Sequence, residues 1–233
     1  MARLRTFVCV IFLLCAEVSA QVSGDAILKK VEELYATISD YTVTLDIVAN
    51  LERLSVPPMH VTMYFKKPDK IHFDAEGFAL LPREAIGLNI GRIASRYSVE
   101  SVEKELIDGD DDFKLTLKAK DENNRLRTLS LYVNPNRWTP DRIVSPLLDG
   151  RTMTALFQHQ RVERRWVTSL LTVQFSSSVG DTSDANPPDM TPPPLRTQVP
   201  RTGSITIRYS NYRINTGLSD DVFERKNPAP QKQ

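Results

Sequence analysis

Apolar and polar residues alternate along most of the chain after residue 40, and a period of two predicts β-strands. The clearest alternation covers 59–66, and its apolar members are Met59, Val61, Met63 and Phe65. Lys67-Pro68-Asp69 then provides turn residues, after which Ile71 and Phe73 continue the pattern. A loop centred on Pro68 places Phe65 opposite Ile71, and the same register pairs Met63 with Phe73. The sequence therefore predicts a β-hairpin with one buried face.

The same alternation predicts strands before and after this hairpin. Three groups of apolar residues each share one face of a strand: Val43, Leu45 and Ile47; Phe113, Leu115 and Leu117, after an acidic turn at 108–112; and Leu129, Leu131 and Val133. Further strands are predicted at 141–147, 151–159, 166–175 and 204–214. Regular short strands joined by hairpin turns are typical of an antiparallel meander. The predicted fold class is mainly β (α+β), with a single curved antiparallel sheet or half-open β-barrel.

Two segments differ from the strands. A helix is predicted after Asp25, which could cap it, and its apolar face contains Ile27, Val31, Leu34, Tyr35 and Ile38. The segment 78–91 is apolar without a clear period, and three interpretations stay open: a short helix after Pro82, a flap or lid over an apolar cavity, or an irregular edge packed on the core.

The two ends and one long segment are not expected to belong to the folded body. Residues 1–20 have a basic start, an apolar run and small residues before Gln21, which is the layout of a secretory signal peptide cleaved after Ala20. Residues 177–202 are rich in Pro, Ser, Asp and Thr, and we expect a flexible loop between two strands. A single domain is predicted over 21–226, followed by a disordered tail over 227–233.

Charge and cysteine content narrow the function further. Both cysteines, Cys9 and Cys15, lie in the predicted signal, so the mature chain has no disulfide and depends on its core. The signal also carries Arg3, Arg5 and Glu17, which leaves 28 basic and 28 acidic residues. This balance gives no electrostatic reason to expect a nucleic acid or an anionic membrane as partner.

The sequence contains no convincing catalytic or metal-binding motif. The hairpin register places His72 opposite Tyr64 and therefore far from His60, so these histidines cannot share a metal ion. Asp108, Asp110 and Asp112 begin like a calcium loop, but the turn glycine and the closing glutamate are missing. Nucleophile-elbow, Walker and dinucleotide motifs are absent from the sequence. We therefore predict a protein that is not an enzyme and needs no cofactor or metal.

Several of these segments together resemble the bacterial outer-membrane lipoprotein carrier superfamily (LolA/LolB-like). The resemblance rests on the first helix, the basic hairpin that reads Lys-Lys-Pro-Asp-Lys-Ile-His-Phe-Asp over 66–74, the later meander, and the ending Tyr-Ser-Asn-Tyr-Arg-Ile-Asn over 209–215 before Asp-Asp-Val-Phe. It implies a half-barrel sheet with helices as a lid, and a protein that carries acyl chains of lipoproteins or related lipids across the periplasm. It also implies an inner-membrane transporter and an outer-membrane receptor as partners, and we expect the carrier to be a monomer.

The predicted site is the apolar inner face of the sheet. Its predicted lipid-binding residues are Val43, Leu45, Ile47, Met59, Val61, Met63, Phe65, Ile71, Phe73, Leu115, Leu117, Leu129 and Leu131. A plain hydrophobic core is the competing interpretation of the same residues. The alternative function is a lipid-sensing or scaffold module of the same fold that acts through a protein partner.

Overall fold

Alternating residues form long strands in the computed structural model, which describes residues 22–52, 54–74, 93–107, 109–122, 124, 126–147, 150–177 and 202–224. The helices are α1 (Gly24–Ala36), α2 (Ile93–Arg96) and α3 (Asp221–Glu224). The strands are β1 (Asp40–Leu51), β2 (Leu54–Ser55), β3 (Met59–Lys66), β4 (Lys70–Asp74), β5 (Tyr97–Ile107), β6 (Asp110–Ala119), β7 (Thr128–Val133), β8 (Pro140–Pro146), β9 (Arg151–Val162), β10 (Arg165–Ser177) and β11 (Gly203–Ile214).

The strands of the described residues make one antiparallel sheet. Its order is β4-β3-β1-β11-β10-β9-β8-β7-β6-β5, with the two-residue β2 added beside β1. From β5 to β11 each strand pairs with the next strand along the chain, and β11 then returns beside β1. Strands β4 and β5 are the two edges of this sheet, so it is not closed into a barrel. The predicted fold class, a curved antiparallel sheet with an N-terminal helix, is confirmed.

The register of the first hairpin is the predicted one. Strand β3 pairs with β4 so that Phe65 lies opposite Ile71, Met63 opposite Phe73, and Tyr64 opposite His72. The turn before β6 is shorter than predicted, because Asp110 already pairs with Ile107 at the start of the strand. Gly109 provides the positive φ of 94° on which this tight turn depends.

Helix α1 begins two residues earlier than the sequence indicated. The cap is Ser23 and not Asp25, since the Ser23 hydroxyl accepts a hydrogen bond from the Ala26 N–H at 3.2 Å. Asp25 instead lies in the first turn, where its charge favours the positive end of the helix dipole. The buried face includes Leu28, which was not predicted, together with the predicted Ile27 and Val31.

The start of β1 and the residues that follow β11 are joined by a polar network. The buried Asp40 carboxylate accepts hydrogen bonds from the backbone N–H groups of Thr216 at 2.8 Å and Gly217 at 3.1 Å. The Lys66 ammonium donates to the Leu218 carbonyl and to Asp220, both at 2.7 Å. These contacts hold the segment that leads into α3 against the β3–β4 hairpin.

Some expectations fall outside the part of the chain that the structure describes. They concern the signal peptide, the segment 78–91, the proline-rich stretch within 178–201, and the tail. Strands β10 and β11, on either side of that stretch, are paired neighbours with Phe175 opposite Gly203. No helix in the described ranges has the length and apolar character needed to cross a membrane.

Candidate functional site

The inner face of the sheet forms one apolar cluster. Ten of the thirteen predicted site residues are buried in it: Val43, Leu45, Ile47, Val61, Met63, Phe73, Leu115, Leu117, Leu129 and Leu131. Met59 is half-buried against the same cluster, and the half-buried Phe65 stacks on Tyr41 with ring centroids 5.0 Å apart. Ile71 differs, because it lies on the five-residue edge strand β4 and keeps 37% of its surface exposed.

A second group of inward residues, from the last three strands, was not predicted from the sequence. Its buried members are Met153, Ala155, Leu171, Val173, Phe175, Ile205 and Ile207. The signal was present, because each strand alternates in the same way as β1. The apolar face therefore extends across the sheet from β4 to β5.

Helix α1 lies across this face. Gly24, at its first turn, is so close to β5 that an added Cβ would meet the side chains of Val99 and Val102. Tyr35, in its last turn, packs against the main core and also against a small cluster of Ile38, Val167 and Ile214. Thirteen residues span about 20 Å at 1.5 Å each. The helix thus runs from the β5 edge to the region of β10 and β11.

The two ends of α1 are attached differently. At the C-terminal end, the Lys67 ammonium donates to the Ala36 carbonyl at 2.6 Å and the Asn215 amide donates to the Thr37 carbonyl at 2.9 Å. The Asn215 side-chain oxygen also accepts from the Ser39 N–H at 2.7 Å. Within the described ranges, residues 24–35 make no hydrogen bond to another element. Polar contacts therefore fix one end of the helix, while apolar packing holds the other.

This architecture is shared with solved structures of low sequence identity. A DUF1329 family protein from Desulfovibrio piger matches with a TM-score of 0.59 at 15% identity, over 85% of this chain and 96% of that one. An outer-membrane lipoprotein-sorting protein domain from Vibrio parahaemolyticus matches with a TM-score of 0.58 at 13% identity, over 84% and 95%. A LolA superfamily protein from Nitrosomonas europaea matches with a TM-score of 0.56 at 12% identity, over 87% and 98%. The chain has the LolA-like fold.

No protein-family model and no curated protein matches the chain. The assignment of the LolA-like fold therefore rests on the arrangement of the strands and helices. At identities of 12 to 15%, the likeness identifies the fold and leaves the ligand to be argued from this chain's own residues.

The three histidines have separate surroundings in the LolA-like sheet. His60 forms an exposed pair with Asp46, and the His72 ring lies 5.9 Å from that of Tyr64. His159 is different, because its side chain is only 2% exposed and its Nδ1 lies 3.8 Å from Asp141. Burial lowers the pKa of His159 to about 4, so the ring is neutral at ordinary pH. Among the described side chains, no group of three His, Asp, Glu or Cys residues could hold a metal ion.

Proposed function

We propose that this protein is a periplasmic carrier that binds acyl chains of lipoproteins or lipids between its curved sheet and helix α1, and moves them towards the outer membrane. The observation that carries the proposal is the apolar inner face, which extends over most of the sheet. In the part of the chain that the structure describes, this face is crossed by helix α1, whose N-terminal end is attached by apolar contacts. The LolA-like fold is consistent with it.

The size of the hydrophobic contribution suits a carrier. Each buried CH₂ group contributes about 0.8 kcal/mol, so an acyl chain of about sixteen carbons gains on the order of 12 kcal/mol before any cost. In this structure the inward residues are already buried against one another and against α1. An incoming chain must displace part of that packing, and the displacement cost offsets the gain enough to permit release.

The proposed transport route begins with export of the protein to the periplasm. The mature carrier would begin at Gln21, take its cargo from a transporter in the inner membrane, and deliver it to a receptor at the outer membrane. It would perform no reaction on the cargo. A scaffold of the same fold would instead keep a filled core and bind a defined protein partner.

A charge on the inner face tests the proposal. Met63 is buried at a position between Val43 and Phe73, and a glutamate there should remove binding of a fluorescent fatty acid. Val48→Glu is the matched control, because Val48 lies on the same sheet but is 44% exposed. We expect the control to bind as the wild type does, with thermal melts run on all three proteins.

The melts separate a binding face from a plain core. A face that opens to admit a ligand can hydrate the new carboxylate, whereas a permanently packed core would lose several kcal/mol of stability. Loss of binding by a folded Met63→Glu protein supports the carrier. An unfolded variant together with a wild type that binds no fatty acid would overturn the carrier in favour of the scaffold.

A further inference from the structure

A polar cluster lies at the C-terminal end of α1, beside the apolar face. Its centre is Asp141, the extra residue of a β-bulge in β8, where Arg142 pairs with Tyr132 and Pro140 with Val133. The Asp141 carboxylate accepts hydrogen bonds from the Thr139 hydroxyl at 3.0 Å and from the Arg137 guanidinium at 2.8 Å. The Arg137 guanidinium also lies 5.9 Å from the centre of the Trp166 ring, which limits its movement.

Among the described residues, four side chains around Asp141 have buried polar atoms without a hydrogen-bond partner. They are the Tyr35 hydroxyl, Nε2 of His159, Nε of Arg142 and both carboxylate oxygens of Asp112. His159 faces Asp141 through its other ring nitrogen, and the Asp141 charge contributes to a raised pKa at both Tyr35 and Asp112. Leaving such groups unpaired is unfavourable, so this cluster is built at the expense of stability.

The cluster adjoins the proposed acyl site. The His159 ring lies 6.4 Å from that of Phe157, which packs against the main core. Tyr35 packs against the same core, and Ile143, two residues after Asp141, is completely buried in it. A chain lying along the inner face would therefore bring its polar end to Asp141.

The charges around Asp141 favour an uncharged head group. Three carboxylates lie in this region, those of Asp110, Asp112 and Asp141, and they outnumber the two guanidinium groups of Arg137 and Arg142. Arg137 is already paired with Asp141. A carboxylate or phosphate would meet like charges at close range. The Tyr35 hydroxyl can donate, and Nε2 of the neutral His159 ring can accept when Nδ1 carries the proton towards Asp141, which suits a ligand with hydroxyl groups.

We propose that Tyr35 and His159 bind a neutral, hydroxyl-bearing head group, such as the glycerol of an acylglycerol, whose acyl chain occupies the inner face. This inference rests on the proposed function and adds the class of head group. The polar cluster orients the ligand, and the apolar face provides most of the affinity.

Four probes with the same twelve-carbon chain test the head group: monolauroylglycerol, methyl laurate, laurate and dodecylamine, each displacing a fluorescent fatty acid from the mature protein. We expect the wild type to bind monolauroylglycerol at least tenfold more tightly than methyl laurate, with laurate the weakest. Tyr35→Phe and His159→Asn should each reduce that preference to below threefold. Asn is chosen because it keeps a nitrogen towards Asp141 and removes Nε2.

Tyr64→Phe, on the opposite face, is the matched control and should keep the preference. Equal binding of monolauroylglycerol and methyl laurate by the wild type would overturn the head-group inference and leave the carrier intact. Tighter binding of dodecylamine would also overturn it, since the cluster would then select positive charge. Failure of all four probes to bind would refute the carrier itself, and the inference with it.

Discussion

A disulfide between α1 and β5 should lock the site shut. The Cβ of a residue at position 24 would lie 3.0 Å from Cβ of Val99, and a disulfide places its two Cβ atoms about 3.5–4.5 Å apart. Gly24→Cys with Val99→Cys therefore needs a shift of less than about 1 Å, and the second change removes the methyl groups that would crowd the first. In a chain starting at Gln21, these two would be the only cysteines.

The expected effects are large. The bond closes a loop of about 75 residues, for which chain entropy predicts about 4–5 kcal/mol of added stability. If the acyl chain enters only when the N-terminal end of α1 moves away from β5, the disulfide prevents this movement. The oxidised protein can then bind the acyl chain only by distorting the sheet, which weakens the affinity. Losing only about 3 kcal/mol of binding free energy weakens affinity by more than 100-fold.

The assay compares oxidised and reduced forms of one protein. Fatty-acid fluorescence is measured before and after a reducing agent, and urea unfolding is followed in parallel. We expect weak binding when the disulfide is closed, recovery on reduction, and higher stability only in the oxidised form. Equally tight binding by both forms, with the bond verified by mass, would refute the claim that α1 moves to admit the ligand.

Three further predictions concern stability. Burial, with help from the Asp141 carboxylate, raises the pKa of Asp112 from 3.8 to about 6, so the charged form destabilises the fold above that pH. Asp112→Asn should therefore raise the free energy of unfolding, measured in urea at pH 8, by at most about 3 kcal/mol. This gain should disappear below about pH 4. Asp40→Ala should lower the free energy of unfolding by about 2–3 kcal/mol, because two backbone N–H groups lose a charged acceptor. The control Asp46→Ala, at a half-buried residue paired with the exposed His60, should lower it by less than about 1 kcal/mol. Replacing 180–199 by a short Gly/Ser turn should leave the melting temperature almost unchanged, and a large drop would mean that the segment packs on the body.

Alternation predicted the sheet well because burial on one face of a strand imposes a period of two. The hairpin register around Pro68 followed from a single turn, and Met63 indeed lies opposite Phe73. The cap of α1 was misplaced because Ser23 and Asp25 are both good capping residues, and only the backbone geometry distinguishes them. The exposure of Ile71 depends on β4 being an edge strand, which the order of strands decides.

The polar cluster could not be predicted from sequence. Asp141, His159 and Tyr35 come from β8, β9 and α1, and no spacing in the sequence links them. Their meeting depends on the bulge in β8 and on the path of α1 across the sheet. Such contacts follow from tertiary packing, whereas the pattern of a single strand or helix depends on local burial.

Mass spectrometry of organic extracts tests the carrier most directly. The mature protein, purified from the periplasm without detergent, is extracted beside the Met63→Glu variant as an empty control. We predict a co-purifying lipid with at least one acyl chain in the wild type, in near-stoichiometric amount, and its loss from the variant. A wild type that carries no lipid, and takes none up when offered it, would contradict the account.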